Sequence, residues 1–144
     1  MTFEERVGEL ERALERLDEA LALGPAPSAE VSATTLPEAI VGDAAIQRFE
    51  FSFELAWKAL SGWLERNLTA PPASPRAVLR EAYRQGVIAD EARWIALLLD
   101  RNLTSHTCRE ATARDVFARL PDHAKLLHAL LVTLRTPEAT AGPP

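Results

Sequence analysis

From Glu38 to Leu68 the chain runs without a proline, and only Gly42 and Gly62 interrupt a helical pattern. Thr35 and Glu38 form a capping box ahead of it, and Pro37 is tolerated in a first helical turn, so the spacing predicts one long helix. Its apolar residues Ile46, Phe49, Phe53, Trp57, Leu60 and Leu64 hold one face, while Phe51, Leu55 and Trp63 place large apolar groups elsewhere. A helix covered on more than one side belongs at the centre of a bundle or at a subunit interface. By this count Trp57 and Trp94 are core residues, and Trp63 is the tryptophan left open for an interface.

The other segments are helical too. Phe3, Val7, Leu10, Leu14, Leu17 and Leu21 step alternately by four and three residues behind a Thr2/Glu5 capping box. Such a stripe serves a dimer seam or the inner face of a bundle helix, and the bundle is the simpler account. The run GPAPSAEVSAT reads as a loop and TAPPASPR as a turn, after which Ser74 and Pro75 open a short helix that Gly86 can end. Asp90 can cap a fourth helix with Trp94, Leu97, Leu98 and Arg101 on one face. That helix is expected to end before His106, a further one to follow Thr107, and Pro121 with Asp122 to open a last one carrying Leu127, Leu130, Leu131 and Leu134. The expectation is an all-α, up-and-down bundle of about five to six helices. It forms a single domain over residues 1–136, with residues 137–144 a flexible tail.

A chain of 144 residues fits one domain. Its net charge of -5 argues against holding long nucleic acid by broad electrostatics, so any such contact must be local. Cys108 is the only cysteine, which excludes an internal disulfide and a cysteine-based zinc site within one chain. An acidic, amphipathic start and the lack of a long apolar run point away from a signal peptide or membrane span, and the expected location is cytoplasmic.

The polar residues concentrate in DRNLTSHTCRE, which holds Asp100, Arg101, Asn102, Ser105, His106, Cys108 and Arg109 in a chain with three histidines. On an ideal helix Arg101 and His106 would lie about 140° apart, so aiming both at one ligand requires the helix to end between them. A Thr107/Glu110 capping box would place His106 just before a new helix N-terminus. Arg101 could then clamp a phosphate, Asn102 orient a neighbour, and His106 exchange a proton with a ribose hydroxyl, amounting to RNA cleavage without metal. Two copies across a dimer would supply both acid and base. The spacing alone equally allows an arginine and a histidine that cap carbonyls or pair with Asp100 and Glu110.

The ordered strings QRFEFSFELAWKAL, SPRAVLREAYRQGVIAD and RNLTSHT, at these distances and spanning roughly Phe3 to Leu134, resemble the HEPN superfamily. They are similar in particular to its nucleotidyltransferase substrate-binding subunits, grouped with the HepT-type toxins. The resemblance implies an all-helical homodimer paired through the Arg-x-x-x-x-His helices and encoded with a minimal nucleotidyltransferase that acts as antitoxin. It implies a ribonuclease toxin with Arg101 and His106 as the catalytic pair and Asn102 beside them. The alternative role is a non-catalytic subunit that docks a nucleotidyltransferase or presents a substrate to it. The family motif usually continues to a tyrosine that the partner modifies with AMP. Cys108 stands at that position and the only tyrosine, Tyr83, lies in another helix, which excludes tyrosine modification at the motif.

Further candidates surround this core. Cys108 beside Arg109 would be either a reactive thiolate or a small buried replacement for tyrosine. Glu50 and Glu54 lie one turn apart on the long helix, where either would reach Arg101, and Glu54 would equally pair with Lys58. Arg76, Arg80 and Arg84 make a basic stripe on the short helix, offset in part by Glu81. His123 and His128 have no carboxylate or cysteine at ligand spacing, so no metal is assigned and no cofactor is implied.

Overall fold

Thr2 opens the first helix, α1 (Phe3–Ala22), by the expected reciprocal cap: Glu5 N–H donates to Thr2 Oγ1 at 3.1 Å, and Thr2 N–H donates to Glu5 Oε2 at 2.8 Å. The computed structural model describes residues 1–23, 36–67, 70, 72–106 and 110–136, with the side chains of 36–38, 106, 110 and 111 outside that set. Four more helices follow, α2 (Leu36–Asn67), α3 (Pro75–Arg84), α4 (Glu91–His106) and α5 (Glu110–Arg135), and the described residues contain no strand. The fold is an all-α, up-and-down bundle. Thr35, Thr107 and the segment after residue 136 fall outside the described residues, and so do two of the expected capping boxes.

Val7, Leu10, Leu14 and Leu17 are buried, as their spacing requires, and each such side chain contributes roughly 1.5–3 kcal/mol. They pack against α2, which touches all four other helices. The inner row of α2 is Phe49, Phe53, Ala56, Leu60, Trp63 and Leu64. This corrects the expected assignment of the tryptophans: Trp63 is buried at 1% exposure and Trp57 is only half-buried. The row steps by four and three through Ala56, whose small side chain hides it from a count of large apolar groups. Gly62 lies where α1 comes close, since a Cβ there would stand 3.2 Å from Arg6 Nη1. Two arginines tie this pair of helices together: Arg6 Nη1 donates to Lys58 O at 2.9 Å, and Arg48 Nη1 to Arg16 O at 2.7 Å.

Ser74 caps α3, accepting from Ala77 N–H at 3.3 Å, with Pro75 at the first helical position. Gly86, at φ 83°, ends it: Val87 N–H reaches Ala82 O at 2.9 Å and Gly86 N–H reaches Tyr83 O at 3.0 Å, a Schellman closure. No atom lies within 4 Å of a Cβ built on Gly86, so the cost of Gly86→Ala is backbone strain alone. That variant is expected to lower stability by about 1 kcal/mol, with Gly86→Asn costing less, as read from urea midpoints at unchanged slope.

Two boundaries differ from the sequence expectation. Asp90 caps α4 as expected, accepting from Arg93 N–H at 3.2 Å, but the helix runs unbroken through His106 instead of ending after Arg101. Likewise α5 passes through Pro121 in place of two separate helices. Proline inside a helix costs about 3 kcal/mol. Here the buried face continues on both sides of it, with Val116, Phe117 and Leu120 before and Ala124, Leu127, Leu130 and Leu131 after, and Pro121 itself is exposed. Burial at about 1.5–3 kcal/mol for each large side chain outweighs the missing hydrogen bond. No described helix is long and apolar enough to cross a membrane.

Candidate functional site

Two consecutive residues of α4 work on different sides of the bundle, because the helical turn of about 100° between neighbours sends Asp100 inward and Arg101 outward. The inward residue, Asp100, is linked to Phe49 of α2 through His123. Asp100 is buried and accepts two bonds from Arg119 of α5, Nε to Oδ2 and Nη2 to Oδ1, both at 2.8 Å. His123, one turn further along α5, places Nε2 at 2.7 Å from Asp100 Oδ2. The His123 ring stacks on Phe49, with centroids 5.4 Å apart and planes 18° apart. Burial pushes the Asp100 carboxyl up, but hydrogen bonds from Arg119 and His123 outweigh it and hold the group below the usual carboxylate range. With Asp100 ionised, His123 donates through Nε2. This network joins α2, α4 and α5 at one point.

The outward residue, Arg101, pairs with Glu50 of α2. Arg101 Nη1 lies 3.7 Å from Glu50 Oε2, close enough for an ion pair but too long for a hydrogen bond, and both side chains are 28% exposed. The guanidinium is thus oriented without its donors being saturated by Glu50. Its own carbonyl accepts from Thr104 Oγ1 at 2.9 Å and from Ser105 Oγ at 3.2 Å, which ties the Ser105 hydroxyl back to the helix. Asn102 is exposed and lies between exposed Leu99 and Leu103 on a row that the backbone position of His106 continues.

Of the two glutamates proposed to reach Arg101, Glu50 does so. Glu54 instead accepts from Trp57 Nε1 at 3.0 Å and pairs with Lys58 at 3.4 Å. Cys108 and Arg109 lie outside the described residues. Because α4 is continuous through His106, the backbone positions of Arg101 and His106 lie about 140° apart around one helix axis, and the expected helix end between them is absent. Arg119 and His123 were missed as partners of Asp100. Their one-turn spacing on α5 was visible, but nothing local marks a residue 19 and 23 positions away as their common acceptor. On α3, Arg84 is engaged by Glu81 through bonds of 2.6 and 3.0 Å, and these hold the Glu81 carboxyl down to about 2, leaving Arg76 and Arg80 as the exposed remainder of the basic stripe. No cluster of three or more metal-ligating side chains occurs among the described residues.

Comparison with known proteins agrees with this architecture. The family model described as "Nucleotidyltransferase substrate binding protein like" matches residues 5–136. A Haemophilus influenzae protein named "Probable ribonuclease HepT" is 36% identical over 95 residues, which cover 63% of this chain and 65% of the relative's length. A crystal structure of a Thermus thermophilus protein is 36% identical, with a TM-score of 0.72 over 88% of this chain and 99% of that one. A Haemophilus influenzae structure, described as the fold of a substrate binding domain of a nucleotidyltransferase, is 26% identical with a TM-score of 0.73 over 90% and 99% of the two chains. The tri-AMPylated HEPN toxin of Shewanella oneidensis, in complex with MNT antitoxin, shares the fold at 12% identity and a TM-score of 0.72 over 92% and 96%.

Proposed function

Because the chain belongs to the nucleotidyltransferase substrate-binding-protein-like family, we propose that it is a HEPN-type toxin, a homodimeric ribonuclease silenced by a cognate minimal nucleotidyltransferase. The observation that carries this reading is the setting of Arg101. Its neighbour Asp100 is locked to α5 by three short contacts, so the backbone under Arg101 is fixed, while among the described residues the guanidinium has only a 3.7 Å pair with Glu50. A half-exposed pair of this kind contributes about 1 kcal/mol at most, so an arriving phosphate can take over the arginine at little cost.

Cleavage needs no cofactor in this reading. A histidine removes the proton of a ribose 2′-hydroxyl, the oxygen attacks the adjacent phosphorus, and the 5′-oxygen leaves as its proton is returned. Arg101 stabilises the charge gathering on the phosphoryl oxygens, and Asn102 orients the group beside it. The products are a 2′,3′-cyclic phosphate and a 5′-hydroxyl. Since Arg101 and His106 diverge on one helix, a second copy completes the site, and exposed Leu99 and Leu103 beside Asn102 form the seam that pairing would cover.

The test is incubation with defined transfer and messenger RNAs in the presence of chelator. Cleavage is expected to leave 2′,3′-cyclic ends and to disappear in Arg101→Ala and His106→Ala proteins whose melting is unchanged. A second reading is favoured by the family description and by the substrate-binding domain structure from Haemophilus influenzae: a non-catalytic subunit that docks a nucleotidyltransferase. No cleavage above the variants' background, together with tight binding of the nucleotidyltransferase, would establish that reading instead.

A further inference from the structure

The face of α2 next to Glu50 turns toward α1 and carries an aromatic ring without a core role. Phe49 and Phe53 are buried, whereas Phe51 between them is 56% exposed. It stands in a trough between α1 and α2 made of two adjoining hollows. One, of about 410 Å³, is lined by Ala13, Arg16, Glu19, Gln47, Arg48 and Phe51. The other, of about 250 Å³, shares Ala13, Arg16 and Phe51 with it and adds Glu9, Arg12 and Leu55.

The charges of α1 divide between two sides, with Glu9 and Glu19 sharing the trough with its arginines. Glu11 is bonded to Arg135 and Asp18 to His128, so these acids face α5 and are paired there. Arg12 and Arg16, one turn apart on the trough side, are exposed and make no side-chain hydrogen bond or ion pair among the described residues. Arg48 closes the floor, with Glu19 only at 3.8 Å. An acidic protein thus keeps a short line of arginines beside an exposed ring, the pairing by which single-stranded nucleic acid is held without sequence reading.

We propose that the α1/α2 trough binds single-stranded RNA, with Arg12 and Arg16 on successive phosphates and a base stacked on Phe51. The inference rests on the ribonuclease reading for its substrate and gives that substrate a path. Phe51 follows Glu50 on α2, their Cα atoms about 3.8 Å apart, and Glu50 is the residue paired with Arg101. A strand that crosses α2 from the trough, about 100° round the helix axis, reaches the face on which Glu50 meets Arg101.

The test measures binding of a fluorescent single-stranded RNA made uncleavable by 2′-O-methylation, as a function of salt, using the full chain. The Arg12→Gln/Arg16→Gln protein is expected to bind about 10-fold more weakly and to flatten the slope of log affinity against log salt by about 1.4, two phosphates' worth. Phe51→Ser is expected to weaken binding about 10-fold with its slope unchanged. The Arg76→Gln/Arg80→Gln protein, which alters the competing stripe on α3, is expected to bind like the parent. Failure of the parent to bind, equal binding by the trough variants, or loss that follows Arg76 and Arg80 would overturn the proposal. So would intact RNA affinity in trough variants that fail to dimerise or to bind the nucleotidyltransferase, since the surface would then be a protein interface. Cleavage of ordinary RNA is read alongside. Cleavage with binding indifferent to the trough sinks the trough alone, and trough-dependent binding without cleavage sinks the ribonuclease alone.

Discussion

Asp100→Ala is expected to destabilise the protein by about 2–4 kcal/mol, a large share of what holds a chain of this size folded. The substitution strips His123, which is almost fully buried, of the acceptor 2.7 Å from its Nε2, and removes the carboxylate hydrogen-bonded to Arg119, leaving it only the weaker attraction of Asp115 among the described residues. An unsatisfied buried group costs about 1–3 kcal/mol. Arg119 is half exposed and recovers part of its loss by turning to water, which keeps the total below that of a fully buried pair. Asp100→Asn keeps the size but presents an amide N–H₂ toward donors, so about 1–2 kcal/mol should still be lost. The effect carries a pH signature. The folded-state carboxyl titrates below its unfolded value, so its contribution is present in full above about pH 4 and fades as the pH falls through the lowered folded value. Urea midpoints of parent and Asn variant should therefore converge in acid. A gap that stays constant from neutral pH to about pH 3 would show that the charge of Asp100 is not what stabilises the junction.

The second large effect is on the cleavage proposed for this chain. Arg101→Ala and His106→Ala are each expected to lower cleavage about 10²–10⁴-fold, the range for removing one charge stabiliser or one proton-transfer group. The continuous α4 adds a sharper expectation. If each site takes Arg101 from one copy and His106 from the other, a mixture of the two dead proteins regains one intact site in each mixed dimer. Equal mixing after subunit exchange should restore up to about a quarter of parent activity, half of the dimers each with one of two sites. No recovery, with exchange demonstrated by a labelled subunit, would mean that both groups act from the same chain.

The legible parts of the fold were those written in local chemistry. The Thr2/Glu5 box, Ser74 before Pro75, Asp90 and the left-handed Gly86 each satisfy a helix end with residues a few positions away, and all four hold. The illegible parts depended on what packs from afar. Pro121 reads as a helix start because the sequence shows its missing N–H but not the α1 and α2 surfaces that bury both sides of it. Arg101 and His106 suggested a break because one ligand was assumed to see both from one chain. Trp63 was misplaced because alanines 56 and 59 complete its row invisibly. At the candidate site the sequence offers Glu50 and Glu54 alike as neighbours of Arg101 and the fold selects Glu50, while the anchoring of Asp100 by Arg119 and His123 required the folded path of α5.

Because α5 returns to α1 through the bonds of Arg135 to Glu11 and His128 to Asp18, the bundle is closed by its last helix. During synthesis α1 and α2 can pair as soon as both have emerged, yet Phe49 and the inner edge of α1 stay uncovered until α5 arrives. Asp100 likewise has neither of its partners until then. The chain therefore acquires its finished α4 only after α5 has been made and packed.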